Sequence, residues 1–336
     1  MYEIKNMNIE DKSLIEMFTK IVNNVLLQYD LEIEEVLFHG FYTNTIFRIN
    51  TKDGKSYALR VSYPGWRTEL DLYSEAKWLS ALANSTDIGA VIPIPSKSGE
   101  FSIKTTLDDV DTHVCLLMNW LDGDMLADNL TNDNIFKMGE LFAKLHIFSE
   151  NYRPEGLFTD RKMSNIFARG EKNILFEESS RKYFSDKNWM IFNEANNRIS
   201  SVYETLYSLK DELMVINHDL HHENIIIDSD GKLRAFDFED TVWGYPVQDI
   251  AMAMKDLMEE IKPELFPEFL KSFRKGYESL RKWPERFDSE MDIFMAGRVL
   301  WVTNWVGRFQ TDRFERNIDW AAEKLGKFLE TGKLRF

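Results

Sequence analysis

Three side chains at fixed spacing constrain this sequence more than anything else in it. Asp219 is followed five residues later by Asn224, and Asp237 comes thirteen residues after that. The stretch between the last two runs from Ile225-Ile226-Ile227 through Asp228-Ser229-Asp230-Gly231 to Leu233-Arg234-Ala235. It reads as strand, Asp-Gly turn, strand. A hairpin there carries Asp237 back beside Asn224, so that an acid, an amide and a second acid converge.

That trio suits phosphoryl transfer from ATP, where the protein contributes positioning and charge neutralisation and little covalent chemistry. Asp219 is the candidate catalytic carboxylate, placed to orient an attacking hydroxyl or accept its proton. Asn224 and Asp237 are candidate ligands for Mg²⁺, which prefers hard oxygen donors. A zinc reading of His218, His221 and His222 finds no cysteine partner, and the carboxylate–amide set fits Mg²⁺ better.

With 336 residues, 44% hydrophobic and 29% charged, the chain has material for about two domains of ordinary globular composition. Cys115 is its single cysteine, which excludes a disulfide frame and a thiolate zinc cluster; in Val114-Cys115-Leu116 it reads as a small buried hydrophobe. The net charge of −15 disfavours nucleic acid and anionic membranes as partners and is compatible with a cationic small molecule. No apolar run is long enough for a membrane span, and Met1 to Glu10 lacks a signal-peptide core, so a cytoplasmic protein is expected, monomeric or homodimeric.

Helical spacing of Leu14, Ile15, Phe18, Ile21, Val22, Val25 and Leu26 predicts a helix over 11–28. Strands are predicted at Val36 to Phe38, Thr45 to Ile49 and Ser56 to Val61, then a helix from Glu69 to Asn84, then strands at Val91 to Ile94 and His113 to Met118. A hinge follows at Met118-Asn119-Trp120-Leu121-Asp122-Gly123-Asp124. Beyond it the pattern is mainly helical, with loops and short helices over 151–188, a helix from Asn193 to Leu213, and C-terminal helices broken near Pro263, Pro284 and Gly332. The expected fold class is α+β. A small β-sheet lobe with one main helix (1–118) precedes a larger, mainly helical lobe (119–336).

Several segments taken in order resemble the phosphotransferase enzyme family, whose members include aminoglycoside, choline and homoserine kinases. Leu141-x-Ala143-x-Leu145-His146 is similar to its helix before the catalytic loop, and Asp219-Leu220-His221-x-x-Asn224 to the loop itself. Phe236-Asp237-Phe238 is similar to its metal loop, and Tyr245-Pro246-x-x-Asp249 to the segment that supports the catalytic loop. The resemblance implies a bilobal protein-kinase-like fold with ATP between the lobes. It further implies Arg60, Glu75, Asn44, Met118 and Trp120 as nucleotide-binding positions and His221 as a second catalytic candidate. Arg60 stands where protein kinases carry a lysine, and Glu69 rivals Glu75 as its partner. Asn217-His218 stands where many relatives have His-Gly.

On the acceptor side the candidates are Asp122, Asp124, Asp128, Glu239 and Asp240, with Trp301 and Trp305 one helical turn apart beside Arg298 and Arg308. Carboxylates with aromatic rings suit an amine or quaternary ammonium; the tryptophans read equally as core. The reading that results is a small-molecule kinase acting on a hydroxyl. A protein Ser/Thr kinase of the same family and an ATP-binding pseudokinase are the alternatives. Only eleven residues separate Asp237 from Asp249, too few for a protein-kinase activation loop.

Overall fold

A computed structural model describes residues 2–7, 11–41, 43–85, 87–107, 111–167, 172–209, 213–284 and 287–334. The chain divides into two compact units: 1–124 with 153–159 and 226–239, and 125–152 with 160–225 and 240–336. Among the described residues no helix is long and apolar enough to cross a membrane.

The first unit is built on six strands: β1 (Ile4–Lys5), β2 (Ile33–Phe41), β3 (Thr45–Thr51), β4 (Ser56–Val61), β5 (Ser102–Leu107) and β6 (Asp111–Asn119). They lie in the order β1-β2-β3-β4-β6-β5. Alternation along β6 fixes which helix covers which face. Cys115 and Leu117 join the core under helix α1 (Lys12–Leu26), together with Phe18, Ile21, Val22, Phe47, Ile49 and Leu59. Val114 and Leu116 pack instead on Leu72 and Ala76 of helix α2 (Glu69–Ser85). Cys115 is therefore inert packing, and burial pushes its thiol pKa up. Helix α2 starts on a reciprocal cap: the Asp71 carboxylate accepts from the Thr68 N–H, and the Thr68 hydroxyl accepts from the Asp71 N–H, both at 3.1 Å.

The strand expected at Val91 to Ile94 does not form. Pro93 and Pro95 remove two backbone donors, and only isolated bridges survive there, Pro93 opposite Met118 and Ala90 opposite Ala235. The outer place in the sheet belongs to β5, a polar strand with no apolar alternation to announce it.

In the second unit α3 (Asn132–Asn151) packs on α6 (Phe266–Glu278), and α5 (Pro246–Glu260) on α7 (Phe287–Phe309). Helices α4 (Asp186–Leu209) and α8 (Phe314–Thr331) complete the bundle. The helix expected over Asn193 to Leu213 starts earlier, at Asp186; 210–212, and 168–171 in the loop region before it, lie outside the described residues. The remaining strands are short: β7 (Asp124–Met125), β8 (Met214–Ile216), β9 (Ile225–Ile227), β10 (Leu233–Ala235) and β11 (Val242–Gly244). Strand β8 pairs antiparallel with β11. Strand β9 lies between β10 and β7. Asp228 shapes the β9–β10 turn, its Oδ1 accepting from the N–H groups of Asp230 and Lys232 at 2.9 Å while Gly231 takes φ +72°.

Candidate active site

In the second unit the loop between β8 and β9 carries Asp219, His221 and Asn224 on a frame of its own hydrogen bonds. Asn217 is buried and its side chain accepts from the Asp219 N–H at 2.9 Å. The Asn224 amide nitrogen donates to the Asp219 carbonyl at 2.9 Å, which leaves the amide oxygen as the group available to a cation. His218 adopts φ +64°, the left-handed conformation that a glycine takes without strain. Its N–H donates to Asp249 Oδ1 at 2.6 Å, and Asp249 Oδ2 meets His146 Nε2 at 3.1 Å. His146 Nδ1 lies 2.9 Å from the Tyr277 hydroxyl, itself bonded by Arg281 at 2.7 Å. Asp249 is thus a buried anchor for the backbone of the catalytic loop, the role expected of it.

Asp219 is met by Arg298 of α7, whose Nη2 donates to Oδ1 at 2.5 Å and also reaches Asp256 at 3.2 Å. Asp219, His221 and Asp256 bring a potential ligand atom each within 4.8 Å of one another, and Arg298 and Lys255 already answer that negative charge from inside the protein. Asp256 suffers a desolvation penalty, yet Arg298, Lys255 and His221 outweigh it and hold its carboxyl well below the usual range. His222, at the start of the short helical turn 222–224, is fully buried with Nε2 2.9 Å from Glu260. That leaves the three histidines of the zinc reading with three different environments.

In the first unit Arg60 of β4 and Glu75 of α2 form a buried bidentate pair, with Nη1 to Oε1 at 2.9 Å and a second, shorter contact between Nη2 and Oε2. Glu69 pairs on the surface with Lys104 at 3.4 Å. Burial works against the Arg60 charge, but Glu75, then Glu239 and Asp237, keep its pKa above the ordinary value. Asp237 therefore sits in the field of this pair, at φ +59°. Phe238 is buried against Trp78 of α2 at 5.5 Å between ring centroids, so the helix that carries Glu75 also packs on the loop that carries Asp237. Removing one member of the Arg60–Glu75 pair strands a buried charge. Arg60→Met is expected to cost about 3–5 kcal/mol, and Arg60→Met with Glu75→Leu to recover most of it, by denaturant titration.

Asn44 donates to Glu239 Oε2 at 2.5 Å, and Trp66 Nε1 to Glu239 Oε1 at 3.1 Å. Glu239, expected at the acceptor, is instead a buried tie for the β2–β3 loop; Tyr42 of that loop lies outside the described residues. Met118 is buried in β6, and Trp120 carries the Arg48 guanidinium on its face at 4.7 Å. Asp122 pairs with Arg48 at 3.6 Å. Trp301 holds Arg298 over its ring at 4.3 Å, and Trp305 meets Phe309 in a tilted ring contact at 5.7 Å.

A model of the Phosphotransferase enzyme family matches residues 35–283. The chain belongs to that family. It is accordingly a phosphotransferase of the small-molecule kinase kind, with the α+β protein-kinase-like fold. It is 23% identical over 241 residues to amicoumacin kinase of Bacillus subtilis (strain 168), covering 71% of this chain and 68% of that protein. Among solved structures it resembles amicoumacin kinase hAmiN in complex with AMP-PNP, Ca²⁺ and Ami, with TM-score 0.73 at 16% identity over 94% of this chain and 96% of that one. A microcompartment-associated aminopropanol kinase gives TM-score 0.73 at 19% identity, over 94% and 99%. These structural likenesses are likenesses of fold.

Sequence reasoning finds Arg298 only as a neighbour of the tryptophans and misses Asp256 altogether. A signal exists for the first: an arginine flanked by Met295, Val299 and Leu300 on an apolar helix has to find a buried anion.

Proposed function

We propose that this protein is a cytoplasmic kinase that uses ATP with Mg²⁺ to phosphorylate a hydroxyl of a small, amine-bearing molecule. The observation that carries this reading is the catalytic loop itself. Asp219 is held at its carboxylate by Arg298 and at its backbone by Asn217 and Asn224, a half-buried acid in a pre-set pose. The donor set fits Mg²⁺. Asn224 has its amide nitrogen committed and its oxygen left over, Asp237 supplies a carboxylate, and no thiolate competes. When bound, the metal neutralises charge on the phosphates.

In the reaction the acceptor oxygen bonds to the γ-phosphorus while the bond from that phosphorus to the β–γ bridging oxygen breaks, and ADP leaves. Asp219 orients the hydroxyl and takes its proton. Asn224 and Asp237 hold the metal. Arg60, kept in place by Glu75, lies on the phosphate side with Asn44, while Met118 and Trp120 flank the base and His221 stands near the transferred group. An amine-bearing acceptor is favoured by the net charge of −15. The relatives named for amicoumacin and aminopropanol point the same way.

The test is ADP release against a panel of amino alcohols, aminoglycosides, other amine-bearing antibiotics and uncharged sugars. At least one amine-bearing alcohol is expected to raise release by about 100-fold or more over the basal rate, with its phosphorylated product seen by mass spectrometry. Removal of divalent cations with EDTA is expected to abolish release, and Mg²⁺ to restore it. Labelling of casein-like proteins with no small alcohol phosphorylated would overturn the proposal.

A further inference from the structure

Arg298 lies within a run of alternating charge whose two cations, Lys255 and Arg298, are buried. Glu259 Oε2 meets Lys255 Nζ at 2.7 Å, and Lys255 Nζ meets Asp256 Oδ1 at 3.2 Å. Asp256 Oδ2 then meets Arg298 Nη2 at 3.2 Å, and the same nitrogen reaches Asp219 Oδ1 at 2.5 Å. The run starts on α5, crosses to α7 and ends on the candidate base. Arg298 is 6% exposed, and Trp301, one turn further along α7, lies against its guanidinium at 4.3 Å and fixes the plane.

The pairing is costly as a means of stability. Nε and Nη1 of Arg298 are buried and have no hydrogen-bond partner among the described residues. Each such donor carries a desolvation penalty, and a buried ion pair is often no more stable than a well-packed apolar replacement. A group kept under those terms beside a reacting carboxylate calls for a functional reason.

We infer that Arg298 is a positioning residue for phosphoryl transfer, holding the Asp219 carboxylate in the one orientation from which it engages the acceptor hydroxyl. Asp256 and Lys255 hold Arg298 in turn, so α5 and α7 together aim the base. The loop's backbone bonds fix where the Asp219 side chain starts; Arg298 fixes where its carboxylate points. An acid aimed in this way is well matched to a loose transition state, in which alignment of the incoming oxygen matters more than strong basicity.

The inference rests on the kinase reading, and its test separates the two. Steady-state and single-turnover rates are measured for wild type, Arg298→Met, Arg298→Lys, Asp219→Asn and the doubles with Asp219→Asn. R298M is expected to lower kcat about 100-fold while the KM for ATP changes less than about threefold. R298K, which keeps the charge, is expected to recover about tenfold of that loss. In the D219N background R298M is expected to cost less than about threefold, because a residue that acts through Asp219 has nothing left to aim. Wild-type kcat in R298M, or the same loss in both backgrounds, overturns the inference. Should R298M not fold, R298K carries the same comparison: a loss of about tenfold in the wild-type background and none in the D219N background, with equal losses overturning it. A wild-type enzyme that turns over no acceptor defeats the kinase reading before any variant is compared.

Discussion

Asp219→Asn is expected to lower kcat for the acceptor by about 10²- to 10⁴-fold, with ATP affinity changed less than about threefold. The substitution keeps the size of the side chain and an oxygen that Arg298 can still reach, so the fold has little reason to change. Two things are lost: the charge that draws the hydroxyl proton, and the capacity to take it. Under the proposed function ATP affinity depends on other groups: Asn224 and Asp237 as the proposed metal ligands, and Arg60, proposed on the phosphate side, with its partner Glu75 2.9 Å away. Asn224 bonds the backbone carbonyl of residue 219, not its carboxylate, so the metal side of the loop survives the change. The check is kinetics beside calorimetric titration of Mg·ATP. A folded D219N protein that loses ATP binding as steeply as turnover would contradict the role given to Asp219.

What pattern can read and what it cannot divides along a physical line. The loop spacing and the β9–β10 hairpin are legible because each depends on residues close in sequence: a turn needs its Asp228 and Gly231, a loop its Asn217. The helix α1 is legible because its buried face has a single period. By contrast β5, Ser-Ile-Lys-Thr-Thr-Leu, has a polar edge-strand composition, and nothing local distinguishes it from a loop. The prolines at 93 and 95 argue against the strand expected around them, and that local signal outweighs the apolar run. The break at Gln310 between α7 and α8 has neither glycine nor proline to announce it. Site residues divide the same way. Arg60 and Glu75 can be paired through a strand-then-helix order, whereas Arg298 reaches Asp219 across 79 positions of sequence. Only the packing of α7 on α5 places it there.

The same limit applies to the second large effect, Gly276→Ala, which is expected to lower the melting temperature by about 5–10 °C and activity with it. A Cβ at Gly276 on α6 would stand 1.9 Å from the Phe136 carbonyl oxygen of α3, and one at Gly139 on α3 would stand 2.0 Å from the Phe273 carbonyl oxygen of α6. Each glycine faces the other helix's backbone, which cannot rotate aside as a side chain can. Alanine is the better helix former by about 1 kcal/mol, so propensity alone argues for stabilisation. The clash wins, because the two helices must separate to admit the methyl and every layer of their contact is loosened. Separation also reaches the site. His146 stands on α3 and Tyr277 on α6, 2.9 Å apart, and together they hold the Asp249 that anchors the catalytic loop at His218. Gly326→Ala supplies the internal comparison. It lies in α8, and its Cβ would meet only Ile191 Cδ1, at an ordinary 3.6 Å. There the propensity gain stands unopposed, so G326A is expected to hold or raise the melting temperature. If scanning calorimetry gave the two alanines the same shift, the close approach of α3 and α6 would not be what sets the stability of this bundle.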